Sequence, residues 1–209
     1  MKLKTLYIPI EIKVREFHHR LYLSFEALKK NYRVYFGTKS EIFRIINKKE
    51  NKGGIFISKG QLSKENLNLI KKKCDLYIAC DEEFNKSLQK YLPKKSMQNY
   101  CKHMIKLRYN NLNIESIDKF CSFSKDMSKA AKTIFIKKSQ KIFFLDGHPK
   151  EDLLKKKNLY LFEKDKKRIK KYYGNFILFN SDFFSLRDIN EELNEYKKIN
   201  KEVGVSKKI

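Results

Sequence analysis

The chain has 209 residues, of which 41% are hydrophobic, and it carries a formal net charge of +24. This length and apolar content allow a buried core, which places the chain among globular proteins rather than disordered ones. No apolar run approaches the roughly 18 residues of a membrane span, and no secretory signal pattern opens the chain. We therefore expect a cytoplasmic protein.

A charge of this size usually indicates a polyanionic partner. Here the 48 basic residues are spread almost evenly from Lys2 to Lys208. They are mostly lysines, and they accompany abundant Asn, Ile, Phe and Tyr, whose codons are A/T-rich. Because a binding footprint should be concentrated on one element, a nucleic-acid partner is not predicted.

The four cysteines are Cys74, Cys80, Cys101 and Cys121. They form no C-x-x-C motif and no pattern with histidines, so their spacing predicts neither a zinc site nor a redox dithiol. We predict no metal and no cofactor, and we expect the cysteines to behave as small buried hydrophobic residues in a reducing compartment.

The first predicted element is a strand through Tyr7 and Ile8. It should end at Pro9, because proline has no N–H to donate to a neighbouring strand. A helix should follow over residues 16–30, since apolar side chains recur at helical spacing along it. The face predicted to be apolar comprises Phe17, Leu21, Ser24, Phe25 and Leu28. The adjacent histidines of this helix, His18 and His19, are expected to be exposed.

Strands and helices alternate along the rest of the chain. The further predicted strands are residues 32–36, 55–57, 75–80, 119–123, 141–145 and 176–180. Helices should lie between them, with Thr38 or Ser40, Ser63 and Ser124 as N-caps. This alternation predicts an α/β fold, a Rossmann-like and mostly parallel sheet with helices on both faces.

Charged residues follow two of the predicted strands directly. The first strand is followed by Glu11, Lys13, Arg15 and Glu16, and the fourth by Asp81 and Glu82. In an open α/β sheet, ligands bind at the carboxyl ends of the strands. Charged residues are also ordinary in a solvated first turn, where acids suit the helix dipole. The pattern alone leaves both interpretations open.

Four segments resemble, in the same order, those of bacterial surface carbohydrate biosynthesis proteins. These are glycosyltransferases of the GT-B type that act in capsule and O-antigen synthesis. The segments are residues 8–43, 81–83, 147–154 and 172–183.

The resemblance implies the N-terminal, acceptor-side half of a GT-B fold. Residues 1–172 would form a Rossmann-like domain, and residues 173–209 would begin a truncated second domain or form a helical tail. The implied partners are a nucleotide-sugar donor, a glycan acceptor and a second glycosyltransferase half. We therefore expect an incomplete or split enzyme.

In such an enzyme a carboxylate would accept a proton from the acceptor hydroxyl, while cations would offset the charge of the leaving phosphate. Glu11 and Glu16 are the candidate bases. The candidate substrate-binding residues are Lys13, Arg15, Asp81, Glu82, His148 and Lys150.

The alternative is a non-enzymatic module whose lysine-rich surface binds an anionic glycan, a nucleic acid or a membrane. Either function is compatible with peripheral contact at the inner face of the membrane.

Overall fold

The computed structural model describes residues 4–48, 50, 52–80, 94–137, 140–144 and 149–178. The chain divides into two compact units, residues 1–153 and 154–209. The domain boundary predicted from the sequence falls between residues 172 and 173, which is later in the chain than the division between the two units. The two units are described separately below.

Six strands and seven α-helices alternate within the described ranges. The strands are β1 (Lys4–Ile10), β2 (Tyr32–Thr38), β3 (Ile55–Ser58), β4 (Leu76–Cys80), β5 (Lys119–Ser122) and β6 (Lys141–Phe144). The helices are α1 (Lys13–Lys29), α2 (Lys39–Asn47), α3 (Lys64–Lys73), α4 (Lys94–Arg108), α5 (Asn111–Ser116), α6 (Lys125–Ile134) and α7 (Glu163–Tyr173). Two 3-10 helices cover Pro149–Leu154 and Lys156–Phe162.

The first unit is built on a parallel sheet with strand order β2-β1-β3-β4-β5-β6. This confirms the predicted Rossmann-like α/β fold. The chain moves from β1 to β2 on one side and then continues outward from β3 on the other. The direction of winding therefore reverses between β1 and β3, and in open α/β sheets ligands bind outside the carboxyl ends of the strands at this point.

The carboxyl ends of β1 and β3 separate from each other at this switch point. β1 pairs with β2 along its whole length, from Lys4 to Ile10. Its pairing with β3 ends at Tyr7, two residues before Pro9, which has no N–H to offer a further ladder bond. The strand continues one residue beyond its predicted end, because the register with β2 carries it to Ile10.

Apolar side chains alternate between the two faces of the sheet. On one face Leu6, Ile8 and Ile57 pack with Ala27 of α1. The other face is aromatic: Phe43 of α2 lies 5.4 Å from Phe56 of β3, measured between ring centroids. Further ring pairs on this face are Phe56–Tyr77, Tyr109–Phe120 and Phe120–Phe135.

The predicted N-termini of three helices are confirmed by their capping contacts, whereas α1 begins at Lys13, three residues before its predicted start. The side-chain oxygens of Thr38, Ser63 and Ser124 each accept the backbone N–H three residues later and cap α2, α3 and α6. Short polar side chains at these positions satisfy amides that have no partner within the helix.

The predicted buried face of α1 is confirmed at Ser24 but wrong at Phe25 and Leu28, which are about half exposed. The other buried side chains of the helix are Glu16, His19, Arg20 and Ala27. His18 is exposed as predicted, but its neighbour His19 is buried. The helix can bury a polar face because its polar groups find partners: Ser24 Oγ donates to the carbonyl of Arg20 at 2.8 Å, and Glu16 is bound as described below.

The second unit is described as far as residue 178. None of the side chains of α7 is buried. Phe176, Ile177 and Leu178 belong to no strand and are exposed. The strand predicted over 176–180 is therefore not present in its described part, and residues 179 and 180 lie outside the described ranges.

None of the helices in the described ranges of the chain combines the length and hydropathy needed to span a bilayer.

Gly54 precedes β3 in a backbone conformation that requires glycine. Its φ is +102°, and an added Cβ would lie 2.9 Å from the carbonyl oxygen of Thr5. Because backbone strain and a clash combine, we expect Gly54→Ala to lower the free energy of unfolding by about 2 kcal/mol or more, measured by urea denaturation. Gly37→Ala is the matched control, since a Cβ there meets nothing within 4 Å. Equal effects of the two substitutions would contradict this account.

Candidate functional site

The carboxylate of Glu16 lies at the switch point and is completely buried. Its Oε2 accepts the backbone N–H of Glu11 at 2.9 Å, and its Oε1 accepts the N–H of Ile12 at 3.2 Å. Lys59 Nζ donates to Oε1 at 2.9 Å. One carboxylate thus joins the end of β1, the start of α1 and the end of β3.

The fold holds both partners of this ion pair in position. Glu16 lies in the first turn of α1, and Lys59 directly follows β3. The hydroxyl of Tyr109 donates to the carbonyl of Lys59 at 3.4 Å. On the preceding residue, Ser58 Oγ hydrogen-bonds to the hydroxyl of Tyr77 on the neighbouring strand, at 3.1 Å. The end of β3 is therefore anchored from two sides.

The environment of Glu16 keeps its carboxylate ionised. Burial alone would raise its pKa, but the amide of Glu11, the hydrogen bond and charge of Lys59 and the amide of Ile12 together lower the pKa below its ordinary value. At neutral pH Glu16 is therefore a poor proton acceptor. It also occupies the amides before α1 that could otherwise bind an external anion.

Glu11, by contrast, lies in an open groove at the carboxyl ends of β1 and β2. Its Oε1 accepts a hydrogen bond from Lys39 Nζ at 2.6 Å, and about a third of each side chain is exposed. The groove has a volume of about 630 Å³ and is lined by Ile10, Glu11, Thr38, Lys39, Ser40, Phe43 and Asn66. It brings together a carboxylate, an ammonium group and two hydroxyls in contact with solvent.

The predicted cations Lys13 and Arg15 lie on the exposed side of the first turn of α1. Lys13 Nζ stands 5.9 Å from the centroid of the Phe17 ring. Neither residue belongs to the lining of the Glu11 groove. They lie close to Glu11 in sequence, but the structure places them outside its pocket.

The other predicted site residues are further away or outside the described ranges. Asp81, Glu82 and His148 belong to the segments 81–93 and 145–148, which are not described. Lys150 lies in the 3-10 helix after β6. β6 is an edge strand separated from β1 by β3, β4 and β5, so the two strands are about 19 Å apart at the usual strand spacing.

Two lysines of the site were not predicted. Lys39 directly follows β2 and Lys59 directly follows β3. In the sequence, Lys39 comes three residues after the predicted strand end at Phe36, and Lys59 comes two residues after the predicted end at Ile57. A search for charged residues within three positions of every predicted strand end would have included both.

No group of three His, Cys, Asp or Glu side chains suited to a metal ion is found in the part of the chain that the structure describes.

Comparisons with models of known protein families, with curated proteins and with solved structures give no match.

The buried ion pair should contribute strongly to stability. Glu16→Gln removes the buried negative charge that Lys59 and two backbone amides bind, so we expect the free energy of unfolding to fall by about 3–5 kcal/mol. Glu11→Gln is the matched control, because its pair with Lys39 is partly exposed and should contribute less than about 1 kcal/mol. Urea denaturation at neutral pH measures both, and similar losses in the two variants would contradict the assigned role of Glu16.

The contribution of Glu16 should also depend on pH. Because its pKa is lower in the folded chain than the ordinary value of 4.5, the stabilisation is fully present above that value and is lost as the pH falls through the folded pKa. We therefore expect the stability difference between wild type and Glu16→Gln to shrink in acid. A difference that stays constant down to acid unfolding would refute the ionised, hydrogen-bonded state of this carboxylate.

Proposed function

We propose that this chain is the acceptor-side half of a glycosyltransferase-like protein of surface polysaccharide synthesis, which acts together with a second Rossmann-like half. The observation that carries the proposal is the exposed carboxylate of Glu11 in a groove at the carboxyl ends of β1 and β2. This edge of a parallel sheet is the usual ligand-binding edge. The four-segment resemblance supports the reaction class.

Glu11 acts in this proposal as the general base. It accepts the proton of an acceptor hydroxyl bound in the groove, while the donor nucleotide is held by the second half. Lys39 Nζ donates a hydrogen bond to the carboxylate of Glu11 and so helps to hold its side chain in the groove. Lys13, Arg15 and Lys150 remain candidates for offsetting the charge of the leaving phosphate.

Glu16 is a positioning residue rather than a second base. Its carboxylate accepts the backbone N–H of Glu11 itself, and so fixes the backbone from which the Glu11 side chain extends. The geometry therefore favours Glu11 over Glu16 between the two predicted bases.

The proposal is tested by purifying the tagged full chain from its source with any partner chain. The assay measures nucleotide release from UDP-, GDP- and CMP-linked sugars with a membrane extract as acceptor. We expect transfer by the complex and a loss of about 100-fold or more in Glu11→Gln, since general bases typically contribute that much.

Glu26→Gln is the matched control, because Glu26 is a carboxylate of α1 that forms an exposed ion pair with Lys29 and does not line the groove. Its activity should equal that of wild type. Absence of turnover with every donor, or equal rates for Glu11→Gln and Glu26→Gln, would overturn the proposal.

A second function, binding to an anionic membrane surface, is favoured by the second unit. α7 contains six basic and two acidic residues. Two of its cations form ion pairs within the helix, Lys166 with Glu163 and Arg168 with Asp165. Its end and the residues after it expose Tyr172, Tyr173, Phe176, Ile177 and Leu178.

Basic residues beside exposed aromatic and aliphatic side chains suit a lipid interface. Lysines attract anionic headgroups, and tyrosine rings lie favourably at headgroup level. We propose that this segment holds the chain at the membrane surface, where the lipid-linked acceptors of polysaccharide synthesis would be found.

Vesicle co-sedimentation of the full chain tests this second function. We expect binding to phosphatidylglycerol vesicles that weakens with salt, and little binding to phosphatidylcholine. Each basic residue near the surface contributes about 1 kcal/mol to the free energy of membrane binding. The double variant Lys167→Glu/Lys170→Glu should therefore bind more than about tenfold more weakly than wild type. The control Lys71→Glu/Lys72→Glu reverses two exposed charges on α3 and should bind like wild type. Equal loss in both variants would indicate a general charge effect and contradict a site on α7.

A further inference from the structure

Cys80 and Cys121 lie opposite each other on neighbouring strands. They are register partners of the parallel pair β4 and β5, near the carboxyl ends of both strands. Since register partners project their side chains to the same face, the two thiols share one side of the sheet. The strand spacing of about 4.8 Å lies within the range of about 4.4–6.8 Å between Cα atoms that a disulfide requires.

The two thiols already interact. The Cys80 thiol hydrogen-bonds to Cys121 and lowers the pKa of Cys121, while burial acts in the opposite direction. Cys80 and Cys121 are partly exposed, as is Cys74, whereas Cys101 is buried. Burial raises the pKa of Cys74 and that of Cys101 to about 12, which leaves those two thiols unreactive.

We propose that Cys80 and Cys121 form a redox-active dithiol whose substrates are small-molecule disulfides, and that oxidation closes a disulfide across β4 and β5. This site is independent of the groove that contains Glu11, and it rests on strand register rather than on a sequence motif.

The reaction proceeds by two thiol–disulfide exchanges. The Cys121 thiolate attacks one sulfur of glutathione disulfide, forms a mixed disulfide and releases one glutathione thiolate. Cys80 then loses its proton to solvent and attacks the sulfur of Cys121, which releases the second glutathione. Two protein thiols are oxidised, and one glutathione disulfide is reduced to two molecules of glutathione.

A bridge at this position would be easily reversed. Register partners of a parallel pair point their side chains the same way, so their Cβ atoms are separated by about the strand spacing of 4.8 Å, whereas a relaxed disulfide prefers about 3.8 Å. Closing it therefore strains the strand ends, and strained disulfides are reduced readily. The pair is suited to reversible modification rather than to permanent stabilisation.

The test is to incubate the native full chain with glutathione disulfide and to map the products by non-reducing proteolysis and mass spectrometry. We expect a loss of two hydrogen atoms in mass and one cross-linked peptide that contains Cys80 and Cys121. The number of titratable thiols under denaturing conditions should fall from four to two, since the chain has four cysteines.

Variants distinguish the roles of the two thiols. In Cys80→Ser the mixed disulfide cannot resolve, so a stable glutathione adduct should accumulate on Cys121. The control Cys74→Ser/Cys101→Ser should still form the bridge. The proposal is overturned if wild type forms separate glutathione adducts without a cross-link, if the cross-link involves Cys74 or Cys101, or if no thiol reacts. The wild-type mapping is decisive even if a variant fails to fold.

Discussion

The buried carboxylate of Glu16 is the interaction on which the switch point of this sheet depends. A charge without solvent is costly unless donors surround it, and here the donors come from the amides after β1 and from Lys59 after β3. The separation of the two strand ends beyond Tyr7 makes room for this contact. The protein's own carboxylate fills the anion position before α1, and the ligand site that we propose is therefore the neighbouring groove beside Glu11.

The elements and their caps could be predicted from the sequence because their signals are local. A serine or threonine caps the amide three residues later, and an apolar run between turn residues predicts a strand wherever it lies in the sheet. The face of α1 could not be predicted in this way. Hydrophobic spacing assigns Glu16, His19 and Arg20 to solvent, yet the partner of Glu16 lies 43 residues away and is brought close only by the strand order.

The same limit applies to the candidate site. Glu11 and Glu16 are equivalent in sequence, both acidic and both beside the end of β1, so spacing ranks neither above the other. Their environments differ because β2 places Lys39 beside an exposed Glu11, while β3 places Lys59 against a buried Glu16. The alignment of Cys80 with Cys121 was beyond motif reasoning for a related reason. Motifs recognise thiols that are close in sequence, whereas register aligns these two from separate β-α units.

The position of β1 between β2 and β3 has a consequence for synthesis on the ribosome. A chain that emerges from its N-terminus can pair β1 with β2 as soon as residue 38 has left the exit tunnel. The carboxylate of Glu16 still lacks its cation at that stage, because Lys59 has not been exposed. The contact between Glu16 and Lys59 therefore forms only after β3 has emerged, so that the first β-α-β unit lacks this buried ion pair until the third strand has joined it.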